Sequence, residues 1–227
     1  MRYTRYVPAT PMPAMHSLGQ VVHFDTSAQR VSRAWVLGVN AHLPPDVNVL
    51  WAQPVPATFH ARFSAVTRRY RYVVLNRPLR SALQRQRAAR WYQPLDVERM
   101  NEAARHLIGE HDFSAFRSRH CQAKSPVRIV YALKVERRGD HVVLEIEANA
   151  FLHHMVRNIA GVLLAIGGGE QPKRWVRTVL AGRDRRFGGV TAPPEGLYLL
   201  NVRYASGLRL PKSAAENIYQ WPVLDRH

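Results

Sequence analysis

The chain has 227 residues, enough for one large domain or two small ones, and 46% of them are apolar, which excludes a generally disordered protein. Its 33 lysines and arginines outnumber its 16 acidic residues, so the formal net charge is +17. This excess favours a polyanion as the binding partner and makes such binding depend on the salt concentration.

The basic residues are almost all arginines, since lysine occurs only four times. The guanidinium group of arginine contacts a phosphate through two donors and also stacks on bases. A GC-rich coding bias explains the ratio of arginine to lysine, but it does not explain the excess of cations over anions. The charge therefore predicts a nucleic-acid partner.

The composition also predicts a cytoplasmic protein. Prolines at positions 8, 11 and 13 interrupt the N-terminal region before an apolar run forms, so no signal peptide is predicted. The longest nearly uncharged apolar stretch, residues 159–169, is much shorter than the ~20 residues of a membrane span. The single cysteine, Cys121, excludes an internal disulfide and a thiolate metal cluster.

In chain order, the first elements are predicted to be two short strands that flank a helix. β-branched runs bounded by turn residues predict strands over residues 20–25 and 47–55. Apolar residues at helical spacing predict a helix over residues 31–39, which ends before the two prolines at 44–45. Alternating tyrosines and arginines then predict a strand over residues 70–75 with one basic edge.

The second half of the chain predicts a mixture of strands and helices. Asp96 is expected to cap a helix that ends at Gly109. The later elements predicted from periodicity and turn residues are a hairpin over 128–137 and 142–148, helices over 151–166 and 175–180, a strand over 196–204 and a surface tail over 211–227. Because strands and helices do not alternate strictly, an α+β fold is predicted.

No metal site or nucleotide site is predicted. His153 and His154 are expected on a helix, about 100° apart, where they cannot easily share an ion. No His-x₃-His or Glu-x-x-His pair is accompanied by a third ligand. The glycines at 167–169 follow a helix rather than open one, so they predict helix termination and not a phosphate loop.

Residues 59–72 interleave cations with aromatic rings, and their interpretation is ambiguous. Arginines there can hold phosphates while a tyrosine ring stacks on an unstacked base. A basic edge strand with buried tyrosines explains the same residues equally well. Arg157 is also ambiguous, because a functional role would require a buried carboxylate partner, whereas a helix cap or a solvent-exposed arginine would not.

Six segments together resemble the TruA-type tRNA pseudouridine synthase family, in order and with family-like spacing from about Met15 to Pro211. They are LGQVVHFDT (18–26), GVNAHLPPDV (38–47), FHARFSAVTRRYRY (59–72), GEHDFSAFR (109–117), NAFLHHMVRNIAGVLLAIG (149–167) and PEGLYLLNVRY (194–204). The resemblance implies tandem ferredoxin-like α+β halves that form one extended antiparallel sheet, with RNA in a basic cleft. Residues 1–60 would be a remnant of the N-terminal half, lacking its first strand and helix, and residues 61–227 the C-terminal half.

The resemblance also implies a reaction. The family isomerises uridine to pseudouridine at positions 38 to 40 in the anticodon arm of tRNA. It works as a homodimer and uses neither a metal nor a cofactor. An aspartate attacks the flipped uridine, the glycosidic bond breaks, the base turns, and C5 then bonds to the ribose.

Motif matches assign roles to individual residues. Tyr70 takes the place of the family's active-site tyrosine, which stacks on the base and is a candidate acceptor of the C5 proton. Arg157 matches the arginine that pairs with the catalytic aspartate, and Leu197 matches the apolar residue beside the target base. The further residues that the resemblance places in contact with the substrate are His16, Arg62, Arg69 and His154.

The segment of the nucleophile departs from the family. The family places its aspartate in a Gly-Arg-Thr-Asp-Ala-Gly-Val-His-Ala loop, and alignment on His16 puts Met12 at the aspartate position. A thioether cannot attack as a carboxylate does. Codons for Thr-Asp-Ala-Gly, read one nucleotide later, encode the Pro-Met-Pro-Ala of residues 11–14, although Thr10 does not fit the same shift. The sequence therefore predicts an impaired, frameshifted or truncated synthase, with a non-catalytic tRNA-binding remnant as the alternative.

Overall fold

A computed structural model describes residues 2–5, 15–205, 208 and 210–211, and for residues 2–5 it describes the backbone alone. The strands within these ranges are Arg2–Arg5 (β1), His16–Ser17 (β2), Val22–Asp25 (β3), Gln53–Val55 (β4), Ala65–Asn76 (β5), Ala89–Trp91 (β6), Gly109–Asp112 (β7), Val127–Arg138 (β8), His141–Ala148 (β9) and Leu197–Tyr204 (β10). The α-helices are Ser32–Asn40 (α1), Val97–Ala104 (α2), Met155–Gly167 (α3) and Trp175–Gly182 (α4). This mixture confirms the α+β class.

The strands form two sheets instead of the one extended antiparallel sheet that was predicted. The main sheet has the order β2-β10-β5-β9-β8-β7, with β6 also paired to β5, and its β2–β10 and β5–β6 pairs are parallel. The chain leaves this sheet at Gly19, where a Cβ would lie 2.4 Å from the carbonyl oxygen of Leu200. Because β2 is only two residues long, the chain is free to enter a second sheet at Val22.

The second sheet has three strands in the order β3-β1-β4, with β1 paired antiparallel to both neighbours. A missing first strand was predicted, but residues 2–5 supply a central strand in this sheet. A small apolar cluster of Val21, Phe59 and Ala61 contacts Trp51 and Tyr204. This cluster joins the second sheet to the end of β10.

Helices α2, α3 and α4 contribute to the core on one face of the main sheet. Alternation along β5 sends Tyr72 and Val74 into this core, whereas Val73 and Leu75 enter a smaller cluster on the opposite face. The Asp96 side chain caps α2 by accepting a hydrogen bond from the Arg99 amide at 2.9 Å, as predicted. No helix in the described ranges is both long and apolar enough to cross a membrane.

Several predicted elements have different bounds in the structure: the helix capped by Asp96 ends at Ala104 and not at Gly109, and two other differences have a visible cause. Of the strand predicted over residues 47–55, only Gln53–Val55 forms, because the amide side chain of Asn40 binds both the N–H and the carbonyl of Val49 at 2.7 and 2.9 Å. Helix α3 begins at Met155 and not at Phe151. His154 has a left-handed backbone with φ of 65°, so the preceding residues cannot continue the helix.

Candidate functional site

Tyr70 lies in the middle of β5, on the face of the main sheet that the helices cover. Its cross-strand neighbours are Ile146 in β9 and Leu199 in β10. Its ring meets the ring of Phe151 edge to face, with the centroids 4.9 Å apart. Burial raises the pKa of the Tyr70 hydroxyl, and the nearby positive charge of Arg68 only partly opposes this effect. The phenol is therefore protonated at neutral pH, which suits stacking or donation better than proton acceptance.

Leu197 and Tyr72 form the apolar continuation of this face. They are cross-strand partners in β10 and β5, and both belong to the main core. The Tyr72 hydroxyl donates a hydrogen bond of 2.6 Å to the carbonyl of Pro193, and burial raises its pKa. This bond holds the segment before β10 against β5, so the position of Leu197 relative to Tyr70 is set by the sheet.

Arg157 lies in the first turn of α3 and is tied to the same segment. Its Nε donates a hydrogen bond of 2.7 Å to the carbonyl of Ala192, whose amide donates to the carbonyl of Arg157 at 3.1 Å. Among the described residues, no aspartate or glutamate oxygen lies within 4.0 Å of its guanidinium nitrogens. Burial lowers the pKa of Arg157, while Tyr72 and Glu195 raise it. The carboxylate that a functional arginine requires is therefore not supplied by the described part of the chain.

The adjacent histidines differ from the prediction. His153 and His154 precede α3, and their rings stack with centroids 4.0 Å apart instead of diverging by about 100° on a helix. Burial, then the charges of His153, Arg157 and Arg185, lowers the pKa of His154 to about 4. Burial, then Arg157 and His120, also lowers the pKa of His153. The start of α3 is thus surrounded by basic groups that repel one another.

The remaining predicted residues lie elsewhere. His16 is on the opposite face of the sheet, where its ring stacks on Tyr198 at 4.6 Å and its Nε2 contacts the Gln86 carbonyl at 2.7 Å. Arg69 also points to that face, where it pairs with the carboxylate of Glu145. Arg62 is exposed, with its guanidinium 5.5 Å from the Phe63 ring.

The structure therefore brings Tyr70, Leu197, His154 and Arg157 to one face and places His16 and Arg69 on the other. Met12 lies outside the described residues. The last residue before β2, Met15, packs against the main core on the Tyr70 side.

Comparison with known proteins identifies the family. A family model described as tRNA pseudouridine synthase matches residues 103–205. The chain is 58% identical to tRNA pseudouridine synthase A of Nitrosococcus oceani over 198 residues, which cover 87% of this chain and 76% of that protein. It is 54% identical to the Pseudomonas aeruginosa protein of the same name, over 88% of this chain and 70% of the relative. The chain belongs to the tRNA pseudouridine synthase A family.

This member of the tRNA pseudouridine synthase A family has a polar network beside Arg157 that was not predicted from the sequence. The Asn158 side chain donates to the Phe116 carbonyl at 2.7 Å and accepts from the Thr191 hydroxyl at 2.7 Å. Arg185 donates to Asn158 and Thr191 at 3.2 and 2.9 Å. No sequence pattern predicted this network. Its members lie in an apolar helix, in loops and in a turn, and they meet only in the folded chain.

The network holds the segment that precedes β10 against α3. Arg185 also donates to the carbonyls of Gly188 and Gly189 at 2.6 and 2.8 Å. The same segment continues to Ala192 and Pro193, which accept the hydrogen bonds from Arg157 and Tyr72. In this family member, Arg185 therefore positions the segment that orients Arg157.

Proposed function

We propose that this chain binds the anticodon arm of tRNA on the Tyr70 face and has the catalytic frame for converting uridine to pseudouridine at positions 38 to 40. As written, the chain is impaired in that reaction, because Met12 occupies the position of the nucleophilic aspartate. The names of the relatives support uridine in tRNA as the substrate. The observation that carries the proposal is the convergence on one face of Tyr70, Leu197 and Arg157, which has no carboxylate partner among the described residues.

The chemistry requires no second substrate. The bond between uracil N1 and ribose C1′ breaks, a bond between C5 and C1′ forms, C5 loses a proton, and N1 gains one. Since atoms and electrons balance, no oxidant, reductant or cofactor is consumed. The Tyr70 ring offers a stacking surface, Leu197 an apolar wall, and Arg157 a cation that orients an attacking carboxylate.

Methionine at position 12 removes the group that Arg157 would orient. A thioether carries no charge and cannot attack C1′ as a carboxylate does. Among the described residues, no acidic side chain takes its place beside Arg157 within ion-pair distance. This observation supports the proposal that Arg157 lacks the carboxylate with which it would act.

A tritium-release assay tests the proposal directly. An anticodon stem-loop carrying [5-³H]uridine would be incubated with this chain and, as the positive control, with the Nitrosococcus oceani relative. We expect this chain to bind the RNA without releasing tritium. Release at the rate of the relative would show that the chain is not impaired, and failure to bind would contradict the tRNA partner.

Substitution of Met12→Asp alone should not restore turnover. Pro11 and Pro13 fix φ near −65° and remove two backbone donors from the loop. A misplacement of about 1 Å can cost ~10²-fold in rate. Robust tritium release from the single variant would show that the loop matters less than its carboxylate.

A non-catalytic tRNA-binding remnant is the second candidate, and the methionine at position 12 favours it. Replacing residues 9–14 by Gly-Arg-Thr-Asp-Ala-Gly distinguishes the two functions. Restored tritium release would support a synthase whose site is otherwise intact. Retained binding without release would support the remnant.

The family resemblance also supports a homodimer, a cytoplasmic location and a division into two parts after residue 60. The cluster of Val21, Phe59, Ala61 and Tyr204 crosses that boundary, so the two parts share apolar contacts. Sedimentation equilibrium of the purified chain tests the dimer, and a mass of 25.9 kDa would contradict it.

A further inference from the structure

The arginines of β5 are divided between the two faces of the main sheet. Arg69 and Arg71 point away from the helices and both pair with Glu145 in β9, at 2.5 Å in each case. On the same face, Arg203 in β10 pairs with Glu147 at 3.3 Å. Two carboxylates of β9 therefore offset most of the positive charge of these three arginines, and each of the three has a carboxylate partner.

Arg68 lies on the other face, with Tyr70 and Tyr72. Its cross-strand partner is Ala148 at the end of β9, and Ala148 is also the partner of Val130 in β8. Two residues before Val130, Arg128 shares the face of Val130 because side chains alternate along a strand. Arg68 and Arg128 therefore flank the end of β9 on the side where Tyr70 lies.

Neither guanidinium is neutralised within the described part of the chain. Arg68 donates to the carbonyls of Asn149 and Arg62 at 3.2 and 2.5 Å. Arg128 donates through Nη1 to the carbonyls of Ser125 and Val127 at 2.9 and 2.5 Å. Carbonyl groups satisfy donors but leave the net charge in place.

Arg128 has, in addition, a buried donor without a hydrogen-bond partner. Its Nε is shielded from solvent and contacts no acceptor among the described residues. Burial lowers the pKa of Arg128; the Cys121 thiol opposes this shift, and Arg68 adds to it by repulsion. The repulsion between the two cations and the unsatisfied buried donor lower the stability of the folded chain. A bound anion would offset part of this loss.

We propose that Arg68 and Arg128 form a phosphate-binding pair for the RNA backbone, next to the nucleotide whose base stacks at Tyr70. Arg68 lies two residues from Tyr70 along β5, or about 7 Å, so a bound phosphate and the stacked base are neighbours. Arginine binds phosphate through paired donors, and phosphate contacts set the position of the RNA. The pair rests on the proposed function, and it adds two residues that the family resemblance did not assign.

The salt dependence of binding to a synthetic anticodon stem-loop tests the pair. Each phosphate contact contributes roughly 0.7 to 0.9 to the slope of log K against log salt. Arg68→Gln and Arg128→Gln should each reduce the slope by about that amount and weaken binding by roughly three- to tenfold at low salt. The matched control is Arg203→Gln, which removes a carboxylate-paired arginine from the opposite face and should leave the slope unchanged.

Arg128→Lys keeps the positive charge, so it distinguishes a loss of charge from a loss of folding as the cause of weaker binding. It should retain most of the slope, and circular dichroism would verify the fold of every variant. If Arg128→Gln does not fold, Arg68→Gln and Arg128→Lys still decide the question. An unchanged slope in folded Arg68→Gln, or an equal loss of slope in the control Arg203→Gln, would overturn the pair. Failure of the unchanged chain to bind would overturn the proposed function as well, so the two results are distinguishable.

Discussion

At the scale of single residues, His154 links the stability of the fold to pH. Its pKa of about 4 lies below the ordinary value of ~6.5, because burial and the neighbouring His153, Arg157 and Arg185 disfavour the charged ring. The unfolded chain takes up a proton below about pH 6.5, whereas the folded chain does so only near pH 4. This part of the stability is therefore present above about pH 6.5 and is lost as the pH falls toward 4.

Replacing His154 with glutamine should flatten that pH dependence. We expect the free energy of unfolding of the unchanged chain to decrease between about pH 7 and pH 5, and to decrease less in the variant. Urea denaturation across the pH series measures both curves. Equal slopes for the two proteins would assign the pH dependence to other groups.

Tyr70 should matter for turnover more than for affinity. In the version with residues 9–14 replaced by the family loop, Tyr70→Ala should abolish tritium release, because the base loses its stacking surface. Binding of the stem-loop should stay within a few-fold, since many phosphate contacts remain. Full activity of this variant would exclude Tyr70 from the site.

At the scale of elements, the contact between α3 and the segment before β10 depends on Gly161. A Cβ at this position would lie 1.9 Å from the carbonyl oxygen of Val190, a backbone atom that cannot turn away. Gly161→Ala should therefore destabilise the fold by about 2 kcal/mol or more, since overpacking typically costs ~1–3 kcal/mol. The same change would displace Ala192, the acceptor for Arg157.

Gly38 is the matched control for this prediction. It lies inside α1, and a Cβ there would have no neighbour within 4 Å. Gly38→Ala should stabilise the chain by roughly 0.5–1 kcal/mol, because alanine loses less backbone entropy in a helix. Urea denaturation of both variants measures the difference, and a stable Gly161→Ala protein would show that the segment before β10 is free to move.

Most elements were predictable from local patterns, and the exceptions had tertiary causes. The hairpin of β8 and β9 follows from alternation and a turn, and α2 from its cap and apolar stripe. The start of α3 did not follow, because apolar spacing continues through residues that the left-handed His154 excludes from the helix. The two-sheet arrangement also depended on contacts, since the close approach of Gly19 to Leu200 is invisible in a strand pattern.

At the scale of the whole molecule, the net charge of +17 should make tRNA binding strongly salt-dependent. If about five phosphates are contacted, affinity should fall by roughly 10²- to 10³-fold between about 50 and 200 mM salt. Filter binding of the stem-loop across this series measures the slope, with a DNA duplex of equal length as the control. A flat response, or equal affinity for the duplex, would contradict a tRNA cleft.

The sequence by itself determined the family, and it predicted a polyanion partner and the residue types of the site, because motifs, composition and charge can be read directly from the chain. Only the tertiary structure decided which arginines of β5 have a carboxylate partner. Arg68 and Arg69 are adjacent and chemically equal, and the family resemblance assigned only Arg69 to the substrate. Its carboxylate partner, Glu145, lies 76 residues further along the chain and reaches it only by strand pairing. Arg68 lies instead on the face of Tyr70, where its cross-strand partner in β9 is Ala148, and no carboxylate of the described residues pairs with it.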